Sequence, residues 1–288
     1  MTKLKADSFT FPGTDMTVNR MGYGAMQLAG PHVFGPPKDR AECVAVLREA
    51  IESGVDHIDT SDFYGPHVTN QIIKEAIYPY PEGWVIVTKV GARRDANGGW
   101  PQARTPKELT EGVHDNLRNL GLERLDVVNL RMGGLAEPVA GSIAEQVEAL
   151  VKLKEQGLIR EIGLSTVNSA QYAEAKAMTN IVCIQNLYNV AQRQDEAFLH
   201  ELAADGVAYV PYFPLGGFTP LQSHKLDDAA KEVGATPMQV ALAWLLQRSP
   251  NMLLIPGTSS RGHLRENLAA ASIELPAKVV EELDSIDA

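Results

Sequence analysis

The stretch His57-Ile58-Asp59-Thr60-Ser61-Asp62-Phe63-Tyr64-Gly65 decides how the rest of the chain is read. Upstream of it, the segment from Glu42 to Ser53 carries Val44, Leu47, Ala50 and Ile51 on one helical face. Ser53-Gly54-Val55 ends that helix, because glycine near a helix end tolerates positive φ. His57-Ile58-Asp59 is then too short for a helix and reads as a strand that finishes on a carboxylate. A carboxylate at the C-terminal tip of a strand that follows a helix points to where βα enzymes keep their chemistry. Tyr64 lies in the loop beyond and can fold back beside it. The plainer reading has Asp59 capping a turn and Tyr64 packed under a loop.

The next apolar run, Val85-Ile86-Val87-Thr88-Lys89, tilts the balance toward chemistry. A lysine at the end of a buried β-branched strand needs a partner, and Asp59 at the neighbouring strand end supplies one. From Met21 onward the chain repeats this unit of short strand and amphipathic helix. Strands are expected at 21–25, 57–59, 85–89, 126–130, 161–165, 181–185, 207–212 and 253–255. Helices are expected at 39–53, 69–77, 105–120, 142–156, 169–178, 195–204, 226–233, 236–247, 261–270 and 276–286. Thr105-Pro106 and Thr236-Pro237 each place a capping residue before a proline at the first helical position. Residues 9–19 alternate around Pro12-Gly13-Thr14-Asp15 and suggest a β-hairpin ahead of the main fold. Eight strands in alternating βα order favour a closed (β/α)8 TIM barrel over a doubly wound sheet. No linker divides residues 1–288, which read as one barrel domain.

Composition narrows the function classes. A chain of 288 residues with 44% hydrophobic and 22% charged residues can fill one large core. A net charge of −10 argues against nucleic acid or an anionic membrane as the main partner. The two cysteines, Cys43 and Cys183, fit small buried roles in a reducing compartment, and no metal-ligand spacing occurs. The first residues lack the apolar core of a signal peptide, and no apolar run is long enough to span a bilayer. The expectation is a cytoplasmic protein acting on a small molecule, as a monomer or small homo-oligomer.

Asp59-Thr60 with Tyr64-Gly65, followed by a strand ending in Thr88-Lys89, resembles the aldo-keto reductase family. The likeness continues through Ile162-Gly163-Leu164-Ser165, Gln185-Asn186 with Tyr188-Asn189, Tyr212-Phe213-Pro214-Leu215, Ile255-Pro256-Gly257-Thr258 and Glu266-Asn267, in order along nearly the whole chain. It implies reduction of a carbonyl by NADPH, with hydride from the cofactor and a proton from the protein. By that resemblance Tyr64 is the proton donor, Lys89 the cation that favours its phenolate, and Asp59 the carboxylate that positions Lys89. The hairpin would plug the bottom of the barrel, as similar hairpins do in the family.

One position departs from the family pattern. Where the family places a histidine at the end of the fourth strand, this chain reads Asn129-Leu130-Arg131. Arg131 stays charged at any working pH and cannot hand on a proton, but it can bind a carbonyl oxygen or another anionic group. That strand end, with Gly22-Tyr23-Gly24-Ala25-Met26-Gln27-Leu28, resembles a bacterial subgroup similar to pyridoxal reductases, which makes pyridoxal the expected substrate.

The same resemblance implies the cofactor contacts. Ser165 and Gln185 would bind the nicotinamide carboxamide, Tyr212 would stack on the ring, and Gly24 and Met26 would let the backbone approach it. The loop Pro214-Leu215-Gly216-Gly217 would offer backbone N–H groups to the pyrophosphate. Thr258, Ser259, Ser260, Arg261 and His263 would hold the 2′-phosphate at a helix N-terminus, with Glu266 and Asn267 on adenine. Gly257 and His263 stand where many members have lysine and arginine, which weakens the expected NADPH preference. Phe34, Phe63 and Trp100 would line the substrate pocket, under an adaptable loop from Arg93 to Arg104. Two rival readings are a redox-sensing, NADP(H)-binding module with little turnover, built on the same barrel, and a barrel metal hydrolase, for which no ligand set is visible.

Overall fold

The computed structural model describes residue 4 and residues 6–134, 137–216 and 223–286. Two short antiparallel strands, β1 (Ser8–Thr10) and β2 (Thr17–Asn19), form the expected hairpin. Seven parallel strands follow in chain order: β3 (Tyr23–Gly24), β4 (His57–Asp59), β5 (Val85–Val90), β6 (Leu125–Arg131), β7 (Ile159–Ser165), β8 (Ile181–Gln185) and β9 (Ala208–Tyr209).

The eighth position of the barrel is held by single bridges and not by a run of strand. Met252 pairs with Tyr209 on one side, and Leu254 and Gly257 pair with Met21 and Gly24 on the other. The Gly22 N–H donates to Leu254 O and the Leu254 N–H to Arg20 O, each at 2.8 Å. Pro256 has no N–H to extend this ladder, and Pro211 likewise stops β9 short of the expected Tyr212. Closure also requires glycine at residue 24, since a Cβ there would lie 2.4 Å from Ile255 O. The result is the (β/α)8 barrel expected from the alternating pattern.

Side-chain alternation along the strands sorts the core into two shells. Ile58, Ile86, Val128, Leu130, Ile162, Leu164 and Ile184 point outward and pack with the helices. Val85, Val87, Val127, Cys183 and Leu253 belong to a separate buried cluster that includes Phe11, Met16 and Val18 of the hairpin. The hairpin therefore closes one end of the barrel interior. Inside, space is short: a Cβ on Gly163 would meet Asn129 Oδ1 at 2.1 Å.

The outer layer is α1 (Arg40–Glu52), α2 (Val68–Ile77), α3 (Pro106–Leu120), α4 (Ala144–Glu155), α5 (Ser169–Lys176), α6 (Glu196–Ala204), α7 (His224–Val233), α8 (Pro237–Arg248), α9 (Arg261–Ala269) and α10 (Ala277–Asp284). Thr105 and Thr236 form full capping boxes with Glu108 and Gln239, which fixes where α3 and α8 begin. Among the described residues, no helix is long and apolar enough to cross a membrane.

Candidate active site

The same alternation carries a polar layer at the C-terminal ends of the strands. Asp59 follows His57, Lys89 follows Val85 and Val87, Arg131 follows Val127 and Asn129, and Gln185 follows Cys183, each at the period of two that faces inward. Register places Arg131 opposite Ser165 and Ser165 opposite Gln185. Asp59, Lys89, Ser165 and Gln185 are all buried.

Asp59 is held from two sides. Lys89 Nζ donates to Asp59 Oδ1, and Gln185 Nε2 donates to Asp59 Oδ2 at 2.8 Å. Lys89 Nζ also donates to Thr60 O at 3.0 Å and stands 5.2 Å from the centroid of the Tyr64 ring. Burial by itself would drive this ammonium toward the neutral amine, but Asp59 and Tyr64 outweigh it, and the Lys89 pKa is raised. A permanent cation is thus fixed against the tyrosine. Burial raises the hydroxyl pKa of Tyr212, only partly opposed by Thr166 and Arg131, so Tyr212 holds its proton more tightly than a free tyrosine.

Tyr64 is carried by the loop between β4 and α2, whose reversal needs Gly65 at φ +98°. A buried polar network braces that loop. Asp62 accepts from Asn70 and Asn119 on one oxygen and pairs with His67 Nδ1 at 2.6 Å on the other. Asn70 reaches on to Asn116, which accepts from Thr88 next to Lys89. Asp62 therefore does not line the cavity beside Tyr64 but anchors the segment that bears it.

The hydrogen bond from His67 to Asp62 raises the His67 pKa, with Asp115 adding to the effect and burial and Arg118 opposing it. Because that pKa lies above the ordinary value of about 6.5, the stabilisation is complete below that value and is lost as pH rises through the raised pKa. His67→Gln should accordingly lower the melting temperature more at acidic than at alkaline pH. Equal losses at both ends of a thermal-unfolding pH series would show that the pair does not titrate in this way.

Two connected cavities open above the polar layer. The larger, about 300 Å³, is walled by Phe63, Tyr64, Trp100, Tyr212 and Phe213, with Lys89 at its base and Arg104 and Arg131 on its lining. The smaller, about 110 Å³, lies between Gly24, Met26, Asp59, Pro214, Leu215 and Gly257. Met26, Tyr64, Gln185, Tyr212 and Phe213 border both. Phe34, expected on the wall, is not among the lining residues. It lies instead against Arg94, whose guanidinium stacks 3.8 Å over Trp100 and so ties the Arg93 to Arg104 loop to the residues before α1.

The residues bordering the smaller cavity suit a nicotinamide. Gln185 is on that lining, and Ser165, its register partner on β7, is buried behind it; among the described residues Gln185 Oε1 and Ser165 Oγ have no hydrogen-bond partner, an acceptor and a hydroxyl suited to a carboxamide. The ring of Tyr212 offers an aromatic face at the junction of the two cavities. The phosphate end is less open than expected. Ser260 caps α9 without a side-chain bond, and its N–H donates to Thr258 Oγ1 at 3.1 Å. Arg261 already pairs with Glu42 at 3.2 Å, so a 2′-phosphate would have to share or displace that carboxylate. Ser259 borders a neighbouring cavity with Met26 and Gln27, His263 and Glu266 are exposed, and Asn267 is buried. Gly217 lies outside the described residues.

Sequence reading missed Arg104, Gln102 and Phe213 as lining residues. Arg104 was legible only as the basic residue preceding the Thr105 cap, and its direction depends on a loop that no periodicity constrains.

Comparison with known proteins places these features in context. The model of the aldo/keto reductase family matches residues 20–288. Pyridoxine 4-dehydrogenase of Escherichia coli strain K12 is 61% identical over 281 residues, covering 97% of this chain and 98% of that protein. Among solved structures, a thermostable aldo-keto reductase in complex with the inhibitor epalrestat superposes with a TM-score of 0.82 at 30% identity, covering 97% of this chain and 99% of its own. An aldo/keto reductase from Klebsiella pneumoniae in complex with NADP and acetate does so with a TM-score of 0.79 at 26% identity, covering 97% and 95%.

Proposed function

The chain belongs to the aldo/keto reductase family and is an NADP-dependent oxidoreductase acting on small carbonyl compounds, and from that premise we propose that it reduces pyridoxal to pyridoxine. The observation that carries this reading is the buried Asp59–Lys89 pair set against Tyr64 where the two cavities meet. NADPH, when bound, supplies the hydride for the carbonyl carbon. Tyr64 gives its proton to the carbonyl oxygen as the alkoxide forms, and the fixed charge of Lys89 stabilises the phenolate left behind. Asp59 holds Lys89 in place and charged. Ser165 and Gln185 would hold the carboxamide, and Tyr212 would offer its ring to the nicotinamide. Gly24, Met26, Pro214 and Leu215 would follow the cofactor backbone, and Thr258 to Ser260 with Arg261, His263, Glu266 and Asn267 would take its adenosine end.

Arg131 orients the substrate. In pyridoxal the ring bears a phenolic oxygen beside the aldehyde, and as the phenolate it matches a guanidinium at the cavity wall. The similarity to a pyridoxine 4-dehydrogenase supports the same substrate pair. Two buried free cysteines suit a cytoplasmic setting, and the site needs only one copy of the chain.

Steady-state NADPH oxidation by the purified protein tests this proposal. Pyridoxal should give a higher kcat/KM than benzaldehyde, and Arg131→Leu should raise KM for pyridoxal roughly tenfold, the weight of one charge-assisted hydrogen bond. Equal loss on both aldehydes would remove Arg131 from substrate orientation.

A further inference from the structure

A chain of net charge −10 lines its larger cavity with Lys89, Arg104 and Arg131 and, among the described residues, with no aspartate or glutamate. Lys89 has its counter-charge in Asp59. The two arginines do not: among the described residues neither guanidinium is paired with a carboxylate. Arg104 Nη2 donates to Gly133 O at 2.8 Å and Arg131 Nη2 to Gly134 O at 2.5 Å, and the Arg131 guanidinium also stands 5.8 Å from the centroid of the Tyr212 ring. Among the described residues, Arg104 Nε is buried with no hydrogen-bond partner. Burial depresses the Arg104 pKa and the charge of Arg131 depresses it further, the signature of two like charges gathered without an anion.

Such a pair is costly in a partly buried cavity unless something negative completes it. Arg131 comes from the end of β6, on the rigid barrel, and Arg104 from the loop directly before the capped start of α3. Both therefore rest on anchored backbone, and both carry N–H groups beyond those given to the glycine carbonyls. The other walls are aromatic, so the space between them suits a flat ring with an oxyanion at its edge.

We propose that Arg104 and Arg131 form a two-guanidinium clamp for an oxyanion on the substrate ring, so that the enzyme selects aromatic aldehydes carrying a carboxylate or phenolate over neutral ones. The proposal rests on the larger cavity being the substrate site of the reductase, and it makes Arg104 a specificity-determining residue alongside Arg131.

The test compares two aldehydes of the same shape, 4-formylbenzoate and its neutral amide, 4-formylbenzamide. Binding to the NADP+-loaded protein is followed by quenching of tryptophan fluorescence, to which Trp100 on the cavity wall contributes. Turnover with NADPH is measured in parallel, for the wild type, Arg104→Gln and Arg104→Lys. The wild type should prefer the acid roughly tenfold or more in both readouts, as one or two charge-assisted hydrogen bonds allow. Arg104→Gln should erase about tenfold of that preference, mainly through KM, and Arg104→Lys should restore part of it. Equal affinity of the wild type for acid and amide overturns the clamp, as does a preference that Arg104→Gln leaves intact. If Arg104→Gln fails to fold, the wild-type ratio and the lysine variant still decide. Turnover of both aldehydes without discrimination would sink the clamp and spare the reductase. Selective, Arg104-dependent binding of the acid without turnover would do the reverse.

Discussion

Tyr64→Phe is expected to lower kcat for aldehyde reduction by about 10²- to 10⁴-fold, the range a positioned general acid contributes. The variant should still bind NADP+, because the hydroxyl is the only group removed and the ring keeps its edge-on contacts with Phe63 and Trp100 at 5.4 and 6.5 Å. Single-turnover measurements would place the loss in the chemical step. A variant that keeps wild-type kcat would mean that the proton comes from elsewhere. Tyr212, the other hydroxyl on the cavity wall, is a weak replacement because burial holds its pKa up.

The second large effect is expected at Asp59. Asp59→Asn leaves the Lys89 ammonium, 3% exposed, beside Thr60 O, Tyr64 and a neutral amide, with its carboxylate counter-charge removed. Breaking a buried ion pair from one side costs about 3–5 kcal/mol, because the surviving charge remains desolvated. The loss should appear as a lower denaturation midpoint in urea with an unchanged slope. Activity should fall too, since a lysine driven toward the neutral amine no longer supports a phenolate. Lys89→Met should be comparably destabilising, and the Asp59→Asn/Lys89→Met double variant should lose less than the sum of the two. Additive losses would show that the two residues act independently.

These expectations trace back to features that are plain in the sequence, and their limits are equally physical. Lys89 ends a run of valines and isoleucine, and a charge in that setting calls for a partner across one strand spacing. Asp59 and Lys89 were readable together because parallel pairing of consecutive strands makes their positions local in space. The barrel itself follows from alternation and count, and the caps at Thr105 and Thr236 from residue types whose hydrogen bonds lie within three positions.

What escaped the sequence depends on long-range closure or loop direction. The eighth barrel position is made by isolated bridges beside Pro256, so strand periodicity overstates it. Glu42 meets Arg261 across 219 positions, a pairing no local pattern announces, and it leaves the expected phosphate site more occupied than its residue types suggest. Arg104 and Arg131 reach one cavity from a loop and a strand end. Phe34 shows the converse: an aromatic residue near the site by sequence whose packing partner is Arg94 and not the cavity.

The central claim is direct hydride transfer to an aldehyde held beside Tyr64. It is tested by incubating the purified protein with pyridoxal and NADPH deuterated at the transferring carbon, then locating the label. The account predicts one deuterium on the new alcohol carbon of pyridoxine, formed one for one with NADP+. Tight NADPH binding with no labelled product from pyridoxal or any simple aldehyde would contradict it and would turn the barrel into a binding module.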